Sequence, residues 1–218
     1  LTANPLSQTK INFYFAKYYF TFKDYNKARN SLSQCILRFK DVEDSYYKGI
    51  VYILLGDTYM QLKQIGLAFH NYKLAMPFIE KFAKGDETGN VYTRYAHVHQ
   101  VLQINEKNLE YNQAALKIRL KFGNKALQAS AYLNVGQAYW LLGDNKTARH
   151  YLDKGLQLAI DSRATFYIEV IYRAITTLLI SLNKEEEAFY YSRLRHEYKT
   201  KYNLTKNNSD IIILETNR

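Results

Sequence analysis

Small and large apolar residues return along this chain at a fixed interval of 40 positions. One register holds Ala16, Gly56, Ala96, Gly136 and Thr176, all small. Four positions earlier stand Asn12, Tyr52, Tyr92, Tyr132 and Tyr172, and three later Tyr19, Tyr59, His99, Tyr139 and Leu179. Six later come Phe22, Leu62, Leu102, Leu142 and Leu182. A second small register, Ala28, Ala68, Asn108, Ala148 and Ala188, follows twelve positions after the first. Offsets of three and four place residues on one face of a helix. The pattern predicts five pairs of α-helices, with the small registers marking close helix crossings and the large residues filling the space around them. Each pair alone leaves an apolar face uncovered, so the pairs must stack. Two prolines and nine glycines in 218 residues leave long uninterrupted segments, which favours helices over a many-turned β architecture.

This reading gives one repeat domain over residues 1–218, with repeats at about 9–42, 43–86, 87–123, 124–161 and 162–202. The stretch from Lys84 to Asn90 and the Gly123-Asn124 pair carry turn chemistry and are expected to connect helices. Residues 203–210 (NLTKNNSD) read as a polar loop, and the run Ile211 to Leu214 as cover for the last apolar face, together a C-terminal cap at 203–218. In the third repeat Asn108 and Asn112 replace an expected alanine and aromatic, so its second helix is expected to pack loosely or to face something polar.

Residues 131–159, AYLNVGQAYWLLGDNKTARHYLDKGLQLA, resemble the tetratricopeptide pattern through Tyr132, Val135-Gly136, Tyr139, Gly143-Asp144 and Ala148. The segment 52–75 does so through Leu55-Gly56, Tyr59, Ala68, Tyr72 and Ala75. The family's usual period is about 34 residues, so a 40-residue period predicts longer helices and connections. The resemblance covers about residues 10–200 and implies an all-α fold: an α-solenoid of about five helix-turn-helix repeats wound as a right-handed superhelix, with the first helix of each pair lining the concave face. The positions that line it in the family fall here on Lys17, Asp57, Asn90, Arg94, His97, Asn134, Gln137, Trp140 and Arg173, and also on Phe13, Met60 and Leu133. Amide side chains can bond both the N–H and the C=O of an extended peptide, an arginine can take a carboxylate in two parallel bonds, and aromatics make apolar pockets. Asn134 stands where members of the family place a backbone-gripping asparagine, and Arg94 holds the same position one repeat earlier. The competing expectations are a merely solvated Asn134, an Arg94 paired with a nearby acid, and a Trp140 buried beside Tyr139. The Tyr52, Tyr92, Tyr132 and Tyr172 register reads as packing.

Charge and chemistry narrow the function. Thirty Lys and Arg against twenty Asp and Glu give a formal charge of +10, which invites an acidic partner, nucleic acid included. No Lys/Arg run exceeds two residues, which favours an ordinary basic surface, and nucleic-acid binding would more readily lie in a missing N-terminal domain. The single cysteine, Cys35, falls in a small-residue position of a second helix and reads as packing. One cysteine permits no internal disulfide and fits a reducing compartment. There is no leader pattern and no apolar stretch near the ~18 residues of a membrane span, so the chain reads as cytoplasmic and not membrane-bound. It starts at Leu1, which reads as a trimmed piece of something longer. Neither GxxxxGK[ST] nor GxGxxG occurs, and His97 and His99, two apart on a helix, point to different faces. No catalysis, metal or cofactor is therefore expected.

The 40-residue spacing, long helices and Tyr/Asn/Lys-rich composition resemble the cytoplasmic peptide-pheromone receptors of Gram-positive bacteria, the Rap, NprR and PlcR group. That resemblance implies a sensor array binding a short peptide or protein segment in its concave groove, with the effector region absent. The alternative is a scaffold docking a folded partner on the same or the convex face. Nucleic-acid binding is a third reading, and a homodimer through terminal apolar faces is an open possibility.

Overall fold

The computed structural model describes residues 5–39, 45–83 and 85–216. Among them lie ten α-helices and no strand: α1 (Pro5–Thr21), α2 (Tyr25–Leu37), α3 (Tyr46–Gln61), α4 (Ile65–Phe82), α5 (Glu87–Val101), α6 (Asn105–Phe122), α7 (Lys125–Leu141), α8 (Asn145–Asp161), α9 (Thr165–Ser181) and α10 (Glu185–Thr216). They form the five antiparallel pairs of an α-solenoid. Longer helices account for the 40-residue period. In the fourth repeat, α7 and α8 have 17 residues each and the two turns around α8 have three.

The turn within each pair is built the same way every time. A residue with positive φ ends the first helix: Lys23 (63°), Lys63 (62°), Gln103 (58°), Gly143 (82°) and Asn183 (57°). The amide that follows each one donates back to a carbonyl five residues earlier, as in Asp24 N to Tyr19 O (2.9 Å) and Asp144 N to Tyr139 O (3.0 Å). These bonds satisfy carbonyls that a helix end leaves open. Only Gly143 is free of the Cβ penalty that this conformation carries. Asp24 and Asp144 then cap the next helix, accepting from Lys27 N (3.1 Å) and Thr147 N (3.0 Å).

The backbone contacts divide the chain into two compact units, Leu1–Ile118 and Arg119–Arg218. In the first, Ala16, Leu32, Cys35, Val51 and Leu55 form one core cluster and Ala68, Tyr72, Ile79, Val91, Tyr95 and Val98 another. In the second, Ala148, Leu152, Ile171, Ile175 and Leu178 centre the core. The small registers are buried as expected, apart from the half-buried Thr176, and the reason is steric. A methyl group on Gly56 would lie 2.5 Å from Tyr72 Cδ1 and closer still to Cε1, and one on Gly136 would lie 2.9 Å from Leu152 Cγ.

Two expectations change, and a third resolves to one of its alternatives. Residues 203–210 are not a loop: the backbone of α10 is helical through Thr216. The stretch from Gly85 to Asn90 is less connection than expected, since α5 already begins at Glu87; Lys84 lies outside the described residues. Asn108 faces something polar within its own repeat. Its side-chain amide donates to Ala96 O at 2.8 Å, so the buried asparagine ties α6 to the small-register residue of α5. Asn124, in contrast, behaves as read, capping α7 by accepting from Leu127 N at 2.9 Å.

Candidate functional site

In the first unit the first helices of repeats 2 and 3 place Asp57 on α3 and Arg94 on α5, one repeat less three positions apart in sequence. Their side chains meet in a bidentate pair, Arg94 Nε to Asp57 Oδ1 and Nη2 to Oδ2, both 2.7 Å. Tyr72 of α4 donates its hydroxyl to the same Oδ1 at 2.8 Å, and Arg94 Nη1 donates to Asn90 O at 3.2 Å. Burial alone would lower the Arg94 pKa, but the hydrogen bonds and charge of Asp57 more than offset it and leave the guanidinium more firmly protonated than usual. Burial first, then the neighbouring carboxylate, pushes the Tyr72 phenol well up. The group is a charge-assisted bridge across three helices. Arg94 is therefore committed to Asp57, the acid-paired alternative, and does not stand open for a ligand carboxylate.

Sequence reasoning missed Tyr72 as the third member. It belongs to the aromatic pattern of the repeat, and only the fold brings its hydroxyl to α3. His97 is exposed on α5, and Lys17, exposed on α1, lies 6.0 Å from the Phe13 ring centroid. Phe13 and Met60 are buried in the core clusters and line no groove.

In the second unit α7 packs against α9. Asn134 and Gln137 lie three apart on α7 and are half-buried, while Arg173 is exposed on α9. Unlike Arg94, the side chains of these three residues have no hydrogen-bond or ion-pair partner among the described residues. Trp140 is half-buried and rests partly on the core cluster, which Leu133 joins outright. The arrangement offers two neutral amides, a guanidinium and an indole edge on adjacent helices, which suits an extended polar chain with side chains to anchor.

Cys35 is fully buried, and burial pushes its thiol up to about 12, so it is no thiolate at neutral pH. Its Sγ lies 3.4 Å from Thr9 O. Among the described residues no three His, Cys, Asp or Glu side chains come together as metal ligands, and no helix is long and apolar enough to cross a membrane.

A tetratricopeptide-repeat profile matches α7 and α8. The match spans residues 129–159. The tetratricopeptide-type fold of the chain is similar to that of aspartyl phosphate phosphatase F from Bacillus subtilis (TM-score 0.81, 17% identity, 91% of this chain and 52% of that one). It is also similar to the Rap conjugation gene regulator of the plasmid pLS20, solved in complex with the Phr* peptide (TM-score 0.67, 17% identity, 91% and 55%). BtubC from P. vanneervenii shares it as well (TM-score 0.76, 17% identity, 86% and 78%). Identities this low speak for the fold alone. The chain spans about half the length of the Rap-type structures. No curated protein matches its sequence.

Proposed function

We propose that this chain is the ligand-binding array of a regulatory protein and that it holds a short peptide on the first-helix face of α7 and α9. The observation that carries the reading is the contrast between equivalent positions. Arg94 is tied down by Asp57, while Asn134, its counterpart one repeat later, is half-buried with an amide that bonds to no other described residue. Polar groups held on rigid helices without an internal partner are pre-organised to meet a ligand's backbone. Asn134 and Gln137 would grip peptide N–H and C=O groups, Arg173 would take a carboxylate, and Trp140 would supply an apolar wall. The similarity in fold to a regulator solved with a bound peptide supports the same use. On this reading the chain works in the cytoplasm, in keeping with a free and buried Cys35.

The test is affinity selection of short linear peptides from a random library on the purified chain, followed by calorimetric titration of the enriched peptide. Triple substitution Asn134→Ala, Gln137→Ala and Arg173→Ala should weaken binding about a hundredfold, at ~1 kcal/mol per lost contact. Lys154→Ala, on the exposed face of α8, should leave it unchanged. A peptide bound equally by the triple variant would place the site elsewhere. Enrichment of no peptide, with a folded protein captured instead, would favour a scaffold.

A further inference from the structure

Three residues of α7 and α9 are charged: Lys125, Glu169 and Arg173. Lys125 Nζ lies 4.0 Å from Asp161 Oδ2, and Glu169 Oε1 lies 4.0 Å from Lys199 Nζ. Glu169 stands four residues before Arg173, the spacing at which an acid and an arginine on one helix can pair. Its charge is nevertheless engaged by α10. Of the three, only Arg173 has no opposite charge beside it among the described residues. A guanidinium so placed attracts a ligand carboxylate and repels a ligand cation.

The far end of the same face is apolar. Trp140 and Ile180 hold one register of the repeat; Ile180 is 59% exposed, and Leu141 beside Trp140 is 41% exposed. Val101, 40 positions before Leu141, is likewise 47% exposed, so an open apolar residue at this level is a feature of the repeat. Ile180 follows Arg173 by seven residues, two turns of α9, which puts both on one stripe. Between the two levels stand Asn134 and Gln137 on α7 and Thr177 on α9, whose hydroxyl donates to Arg173 O at 2.9 Å. None of these groups is charged, so a ligand charge arriving opposite them would lose water without gaining a partner.

Spacing narrows the ligand further. Two helical turns separate the levels of Arg173 and Ile180 by ~10.5 Å. An extended chain rises ~3.3 Å per residue, so three residues span that distance and about one more carries the chain across to Trp140 on α7.

We infer that the peptide assigned above to α7 and α9 is acidic, an inference that rests on that assignment. It carries one carboxylate and, three or four residues away, one large apolar side chain, with uncharged residues between them. The carboxylate meets Arg173, and the apolar side chain sits against Trp140, Leu141 and Ile180. A side-chain carboxylate and a C-terminal one offer Arg173 the same group.

Peptide pools labelled with tetramethylrhodamine at the N-terminus serve as probes, read by fluorescence anisotropy with the full chain. The reference pools fix aspartate and leucine three or four positions apart, in both orders, fill the other positions with Ala, Gly, Ser, Thr and Asn, and have amidated C-termini. A second acidic pool has no aspartate and a free C-terminus three residues beyond the leucine, so the better of the two identifies the source of the carboxylate. Control pools replace aspartate by lysine, replace leucine by serine, or set aspartate and leucine side by side. The better acidic pool should bind at least about tenfold more tightly than each control. Arg173→Gln should erase the preference over lysine. Leu141→Ser with Ile180→Ser should erase the preference over serine. All three residues are exposed, so the far-UV circular dichroism should stay unchanged.

Equal or tighter binding of the lysine pool, an acid preference that survives Arg173→Gln, or no binding of any pool would each overturn the inference. A library peptide that contains no carboxylate and is lost in the Asn134, Gln137 and Arg173 triple variant would overturn it too, while leaving the assignment to α7 and α9 standing. Acidic pools bound undiminished by the triple variant would sink that assignment, and the inference with it.

Discussion

Substituting Gly56 by alanine tests the argument that the small register sets the helix crossings. The added methyl would meet the Tyr72 ring at 2.5 Å from Cδ1, well inside van der Waals contact. Tyr72 cannot swing aside cheaply, because it is 2% exposed and its hydroxyl is bonded to Asp57, which Arg94 holds in turn. Overpacking of this kind costs about 1–3 kcal/mol, and losing the hydroxyl bond adds about 1 kcal/mol. Replacing a helical glycine by alanine returns about 1 kcal/mol, so the net expectation is a destabilisation of about 2 kcal/mol. For a chain of this size that is a fall of roughly 4–8 °C in melting midpoint, read by circular dichroism. Gly66 is the control. It lies near the start of α4 with nothing within 4 Å of an added methyl, and Gly66→Ala should stabilise by about 0.5–1 kcal/mol. In a Tyr72→Leu background, with the ring gone, Gly56→Ala should cost less than about 1 kcal/mol. If Gly56→Ala proves neutral or stabilising in the parent chain, the close crossing is not what the small register is for.

The Asp57–Arg94 bridge is partly accessible, with 23% and 31% of the two side chains exposed, so it should be worth less than a fully buried pair. Asp57→Asn or Arg94→Met should each cost about 1–2 kcal/mol in urea unfolding, and the double variant clearly less than their sum; strict additivity would deny the coupling. Lys63→Gly should raise stability by about 1 kcal/mol and Gly143→Ala should lower it by as much, because both positions hold a positive φ, 62° and 82°. Effects of the same sign in thermal melts would refute that account of the turns. Cys35 should resist Ellman's reagent in the folded chain and react fully in denaturant. Its raised folded pKa means a stability contribution that is present below the ordinary thiol value of 9.0 and lost as pH rises from there towards about 12. Cys35→Ala should therefore lose less stability than the parent between neutral pH and pH ~10.

The fold was legible because a stacked array repeats its demands. Each crossing needs a small residue and each pair needs a large apolar face, so the same requirement is written five times, in the Ala16 and Ala28 registers, and no single departure erases it. The turns were legible only where Gly143 or an aspartate cap betrays them. Lys63 and Gln103 take the same left-handed conformation with no local sign, because the two helices they join impose it. Pro77 would end a helix by local rules, yet α4 runs from Ile65 to Phe82 through it. A polar run such as 203–210 continues α10 although its composition favours a loop.

The candidate site divides in the same way. The chain by itself pointed to Asp57, Arg94, Asn134 and Gln137 through its resemblance to the tetratricopeptide family, whose face-lining positions fall on these residues. Which of these keep their polar groups open was decided by tertiary structure. Asp57 and Arg94 are 37 residues apart, and a bidentate bond between them exists only because stacking sets α5 against α3, with Tyr72 delivered from α4. Likewise Ile11 and Tyr18 are exposed although Val51 and Thr58, 40 positions on, are fully buried. Burial belongs to the neighbour that covers a face and not to the residues that compose it.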